Sequence, residues 1–117
     1  MKKTFGLTAV GVAVAAVSLA AWAATLSNAN GQSCGGASGV WHFVNNQTGG
    51  TQTPGSLTAT WSSGDTCSTT AYAVNANMQH FNCEGIYSGT LISGSTNLNG
   101  RLVLSDFTCG KKEEPPK

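Results

Sequence analysis

Polar and apolar residues alternate in short runs along most of this chain, and glycine, asparagine and serine punctuate the runs roughly every eight to twelve residues. Alternation with a period of two marks a strand with one buried face. The cleanest case is Ser56-Leu57-Thr58-Ala59-Thr60-Trp61-Ser62, in which Leu57, Ala59 and Trp61 share one face and the hydroxyl residues share the other. Before it, Val40-Trp41-His42-Phe43-Val44 forms a first strand, closed by Asn45-Asn46 and a Gly/Thr/Pro-rich loop through Gly55. After the turn Ser63-Gly64-Asp65, residues 66–74 give a third run with weaker alternation, broken by Asn75-Ala76-Asn77. Residues 78–83 read as a fourth strand and 86–92 as a fifth, separated by Glu84-Gly85. Ser93-Gly94-Ser95 and Asn97-Leu98-Asn99-Gly100 read as turns around a very short element, and residues 101–109 as the last strand. No helical period appears after the first 23 residues. The pattern predicts an all-β domain, a small antiparallel β-sandwich of Ig-like size and layout with six or seven strands.

The two ends of the chain break this pattern. Met1-Lys2-Lys3 is followed by an uncharged, mostly apolar stretch to Ala21 and then by Ala21-Trp22-Ala23, the small-x-small motif read by signal peptidase. Residues 1–23 are therefore expected to be a cleavable signal peptide, cut before Ala24, with no membrane insertion afterwards. Residues 24–33 are small and polar without period and predict a flexible leader. The β-sandwich domain is then expected over 34–110, and the charged, proline-ended stretch 111–117 is expected to be a disordered tail. That tail lacks a sorting signal of the L-P-x-T-G type, so the expected location is secreted, periplasmic or cell-surface, with any attachment non-covalent.

Charge narrows the partners. Between Ala24 and Gly110 the charged residues are Arg101, Asp65, Glu84 and Asp106. Nucleic-acid binding needs clustered Lys and Arg to neutralise phosphates, and an anionic membrane surface needs several basic residues on one face. Neither partner is expected. Solubility must come instead from Ser, Thr, Asn and Gln, which make up over a third of the chain after residue 23.

The cysteines Cys34, Cys67, Cys83 and Cys109 are even in number, and the nearest two lie sixteen positions apart, unlike the close pairs of zinc sites. Two disulfides are expected in an oxidising compartment, with three connectivities open. His42 and His80 sit in similar contexts, Trp41-His42-Phe43 and Gln79-His80-Phe81, and could meet on neighbouring strands, with Met78 as a thioether nearby. Because no third ligand is forced by spacing, no metal and no cofactor is expected, and the histidines read as satisfied by polar neighbours on a sheet face. Asp65, Glu84 and Asp106 form no evident catalytic pair, and no serine lies in a nucleophile elbow, so the chain does not read as an enzyme. A small hydrolase using Asp106 or Glu84 is the weakest of the alternatives. Trp41 and Trp61 fall on the apolar side of their strands and read as core, leaving Tyr72 and Tyr87 as the candidates for ligand contact.

The order Trp41-His42-Phe43-Val44, Leu57-Thr58-Ala59-Thr60-Trp61, His80-Phe81 and Leu104-Ser105-Asp106-Phe107-Thr108-Cys109 resembles a recurrent module of secreted bacterial surface proteins. In that module a W-H-F-V strand, an L-T-A-T-F strand, an H-F strand and a closing L-S-x-x-x-C stretch occur in this sequence, often beside collagen-binding-type or prealbumin-like β repeats. The resemblance spans about residues 34–109 and implies location and fold more than activity. It also implies that Cys34 joins Cys109, leaving Cys67 with Cys83. Position agrees, since Cys34 precedes the first strand and Cys109 ends the last. Cys67 and Cys83 would then face each other at the open end of a hairpin. In the chain-entropy model the long loop contributes about 4–5 kcal/mol and the short one about 3 kcal/mol, so the long bridge is expected to matter more.

The function expected from these readings is a non-catalytic secreted β-sandwich acting by surface contact as an envelope, extracellular-matrix or adhesion component. Its partner would be a protein or glycan of the cell surface or matrix, or a second copy of itself. The alternative is a periplasmic metal- or ligand-binding protein using His42 and His80.

Overall fold

A computed structural model describes residues 24–110; the expected signal peptide and charged tail lie outside the described residues. Eight strands follow in order: β1 (Ala24–Thr25), β2 (Ser38–Asn46), β3 (Ser56–Trp61), β4 (Thr66–Thr70), β5 (Ala73–Asn75), β6 (Met78–Ile86), β7 (Leu91–Thr96) and β8 (Arg101–Cys109). They form two four-stranded sheets, β1-β7-β3-β4 and β5-β6-β2-β8, with every strand pair antiparallel. The sheets pack face to face as a sandwich. The alternation that predicts β3 is the alternation observed: Leu57, Ala59 and Trp61 have no exposed surface.

Between the sheets lies an aromatic row. Phe107 stacks on Trp41 with centroids 4.5 Å apart, Trp41 meets Trp61 edge-on at 5.3 Å, and Trp61 stacks on Tyr87 at 4.1 Å. Each such pair adds about 0.5–1.5 kcal/mol beyond the area it buries. Phe43, Phe81, Leu91 and Leu102 complete the fill.

The disulfides join Cys34 to Cys109 and Cys67 to Cys83. The second does not close a hairpin as expected. Cys67 lies on β4 opposite Ala59, and Cys83 lies on β6 opposite Trp41, so the bond crosses the core between the two sheets. The cause is the run 66–74, which is two strands. The chain turns at Ala71 and Tyr72, where Ala71 N donates to the Gly55 carbonyl and Tyr72 N to the His80 carbonyl, and so passes from one sheet to the other. The weak alternation of that run reflects the change of sheet.

Three further boundaries differ from expectation. Glu84-Gly85 does not end a strand, because nine registered pairs with β2 carry β6 through it and set Gly85 opposite Gly39. Ser93-Gly94-Ser95 lies inside β7, where Gly94 pairs with Ala59. Residues 24–33 are not a loose leader. After β1 pairs with β7, Leu26 N donates to the Gly94 carbonyl and Ser27 N to the Leu102 carbonyl. The Asn28 side chain then donates to the Leu104 carbonyl (3.0 Å) and accepts from the Leu104 N–H (2.8 Å). This segment laces the edge of one sheet to the edge of the other using backbone and amide groups, which leave no apolar period to read.

Candidate functional site

Residues of β2, β6 and β8 that point away from the core share the outer face of the second sheet. Phe43, Phe81 and Phe107 point inward, so His42, His80 and Asp106 point out; Leu104 also points inward because Ser105 is the extra residue of a bulge opposite the His42–Phe43 step. His42 pairs with Asn82 and His80 with Val44, which places the two imidazoles on a diagonal between neighbouring strands. Their rings are parallel to within 9°, and His42 Nε2 lies 3.2 Å from His80 Nδ1.

Three side chains frame the pair. Asn75 Nδ2 lies 3.3 Å from His80 Nε2. With the Asn75 amide donating, His80 Nε2 accepts and His80 Nδ1–H donates to His42 Nε2; with that amide turned, the His42–His80 hydrogen bond runs the other way. His42 Nδ1 faces Asp106 Oδ2 at 3.7 Å. Tyr72, 58% exposed at the sheet-to-sheet turn, aims its hydroxyl at the same His42 Nε2 from 3.2 Å. Its own N–H bond to the His80 carbonyl fixes its position.

Of the residues singled out from sequence, His42, His80 and Tyr72 are thus brought together. Met78, on the same strand face, lines a shallow depression with Asn46, Gln47, Asn77, Arg101 and Val103. Tyr87 lies elsewhere: its ring covers Trp61, and burial raises its phenol above the ordinary tyrosine range, with the charges of Asp65 and Glu84 adding to the effect. Asp65 serves its turn, where its carboxylate accepts from Ser88 N (2.8 Å) and its carbonyl from Trp61 N (2.9 Å). Among the described residues no group of three or more His, Cys, Asp and Glu side chains gathers in a metal-binding arrangement.

The first sheet presents a different surface. Ser56 pairs with Thr70, Thr58 with Ser68 and Ser95, and Thr60 with Thr66 and Ser93. All lie on the face opposite the buried residues, forming rows of hydroxyls across three strands. Ile92 breaks the rows at a bulge beside Trp61 and is 54% exposed. β4 is a terminal strand of this sheet, Thr66-Cys67-Ser68-Thr69-Thr70, with neither charge nor proline.

No family model, curated protein or solved structure matches the chain. Function must be argued from the two faces themselves.

Sequence reasoning missed three buried polar residues that hold these faces in place. Gln79, fully buried, accepts from Gly55 N (2.7 Å) and donates to the carbonyls of Thr53 (3.0 Å) and Thr51 (3.3 Å), pinning the loop ahead of β3. Asn45 accepts from the Thr96 hydroxyl (2.6 Å) and donates to the Asn99 carbonyl (2.9 Å), tying β2 to β7 across the core. The signal was present, since Gln79 occupies the inward phase of Gln79, Phe81 and Cys83.

Proposed function

We propose that this protein is an exported, non-catalytic β-sandwich that works by surface contact, as an envelope, matrix or adhesion component. The observation that carries the reading is the hydroxyl-lined outer face of β3, β4 and β7. A flat array of Ser and Thr at strand spacing, without an ionisable group, offers donors and acceptors to sugar hydroxyls or to another neutral sheet. It does so without the charge complementarity that most surface recognition uses.

Two features support contact with a second copy as one form of this function. The edge of β4 lacks the lysine, proline or inward charge with which sheet edges are normally blunted. The opposite side of the sandwich is laced shut by residues 24–28, which leaves as free edges β4 of the first sheet and the three-residue β5 of the second. The Lys-Lys start, apolar run and Ala-x-Ala motif of residues 1–23 support export, as does the use of all four cysteines in disulfides.

Purified protein is tested for retention on cell-envelope fractions and on immobilised glycans, and for self-association by sedimentation. Saturable retention on one of these surfaces, or concentration-dependent assembly, is expected. A monomer that binds none of them overturns the reading.

A further inference from the structure

His42 Nε2 stands in an unresolved contest. His80 Nδ1 and the Tyr72 hydroxyl both meet it at 3.2 Å. An imidazole nitrogen offers either one lone pair or one N–H, so three heteroatoms converge on a point where hydrogen bonding serves only two of them well. A cation at that point serves all three, because each then contributes a lone pair. The spacing fits. Two imidazole nitrogens bound to one tetrahedral ion at about 2.0–2.1 Å lie about 3.3 Å apart, and cis ligands of a square ion about 2.9 Å apart.

We propose that His42 Nε2, His80 Nδ1 and Tyr72 Oη form a binding site for a late first-row divalent cation, copper(II) before zinc. Two imidazoles and a phenol oxygen on an exposed sheet face suit the tetragonal N,O coordination of copper(II), and the general affinity order of divalent ions places it first. Solvent completes the coordination on the open side, where Tyr72 is 58% exposed. The outer partners are already beside the rings. His42 Nδ1–H faces Asp106, the arrangement in which a carboxylate orients a ligating imidazole. For His80 Nδ1 to bind, its ring proton must sit on Nε2, and Asn75 receives that N–H by presenting its amide Oδ1. This site shares no residue with the hydroxyl face, so its failure would leave the contact function untouched.

The tag-free protein is titrated with copper(II) and, separately, with zinc(II), each as the metal ion alone. One equivalent of copper(II) is expected to bind with two-nitrogen hyperfine structure in its electron paramagnetic resonance spectrum and, as the Tyr72 hydroxyl gives its proton to solvent on binding, a phenolate-to-copper charge-transfer band. Replacing either ligand, His42→Gln or His80→Gln, should weaken binding by roughly a hundredfold, at the top of the range for losing even an outer partner. Tyr72→Phe should abolish the band while retaining the two-nitrogen signal. Paramagnetic broadening of wild-type amide resonances, which needs no variant to fold, should begin at residues 42, 72 and 80. Broadening centred elsewhere, binding that does not saturate at one equivalent, or affinity unchanged in folded His42→Gln and His80→Gln proteins would each overturn the assignment.

Discussion

Removing the Cys67–Cys83 bridge should cost as much stability as removing Cys34–Cys109, although it closes a far shorter loop. Chain entropy alone ranks them otherwise: separations of 75 and 16 residues correspond to about 4–5 and about 3 kcal/mol. Burial changes the ranking. Cys67 is 7% exposed and Cys83 1%, and their sulfurs join the sheets beside the Trp41–Trp61 contact, whereas Cys34 is only half-buried and Cys109 is exposed. Deleting two buried sulfurs forfeits about 2 kcal/mol of transfer and cavity energy. The short bridge therefore totals about 5 kcal/mol, level with the long one. Equilibrium urea unfolding of the Cys67→Ala/Cys83→Ala and Cys34→Ala/Cys109→Ala proteins measures both losses. A third protein, Cys67→Ala/Cys83→Val, refills part of the cavity without restoring the bond and should recover about 1 kcal/mol. A loss of about 3 kcal/mol or less for the first variant, with no recovery on adding valine, would refute the packing argument.

Other outcomes follow from single contacts. Gln79→Ala strands the buried Gly55 N–H and releases the part-buried Thr51 and Thr53 carbonyls, and should cost about 2–3 kcal/mol by urea unfolding, whereas Gln52→Ala, on the same loop but bonded only to the Gly50 carbonyl at the surface, should cost under about 0.5 kcal/mol. Asn28→Ala removes both hydrogen bonds to Leu104 and should cost about 2 kcal/mol, with faster amide exchange at Leu104. Gly100 has φ +104°, and a Cβ there would run into the Asn46 and Gln47 carbonyls, so Gly100→Ala should lower the melting temperature well beyond Gly49→Ala, which has positive φ but open space. Because the Tyr87 phenol titrates above its unfolded value, its stabilising effect is complete below about pH 10 and is lost as pH rises through the folded value. Tyr87→Phe should flatten that alkaline loss of stability.

The strands whose inward positions are apolar were legible in the sequence: β3, most of β2 and β8 as far as Leu104 stand where alternation puts them, and Trp41 and Trp61 fill the core as their phase required, whereas the bulge at Ser105 that turns Phe107 inward was not legible. What the pattern hid was held by polar groups. Residues 24–28 enter the fold through backbone bonds and the Asn28 amide, Gln79 and Asn45 lie buried where a polar residue reads as surface, and Glu84-Gly85 looked like a turn until nine paired residues overrode it. The meeting of His42 and His80 depended on register. One residue of slip between β2 and β6 would have sent one of the rings to the opposite face. Tyr72 joined them because the chain changes sheets at its position, which a weakly alternating run could not reveal.

The contact function stands or falls on the hydroxyl face, and the most direct measurement compares retention of the wild-type protein and of Thr58→Lys/Ser68→Lys on the envelope, glycan or self-assembly surface that binds it. Both substitutions lie on the outer face of paired positions in β3 and β4, so the fold should persist, as far-ultraviolet circular dichroism would show. Wild-type retention should be nearly independent of salt, since uncharged groups make the contact, and the double variant should lose it. Equal retention by a folded Thr58→Lys/Ser68→Lys protein, or wild-type binding that falls steeply with ionic strength, would contradict the account.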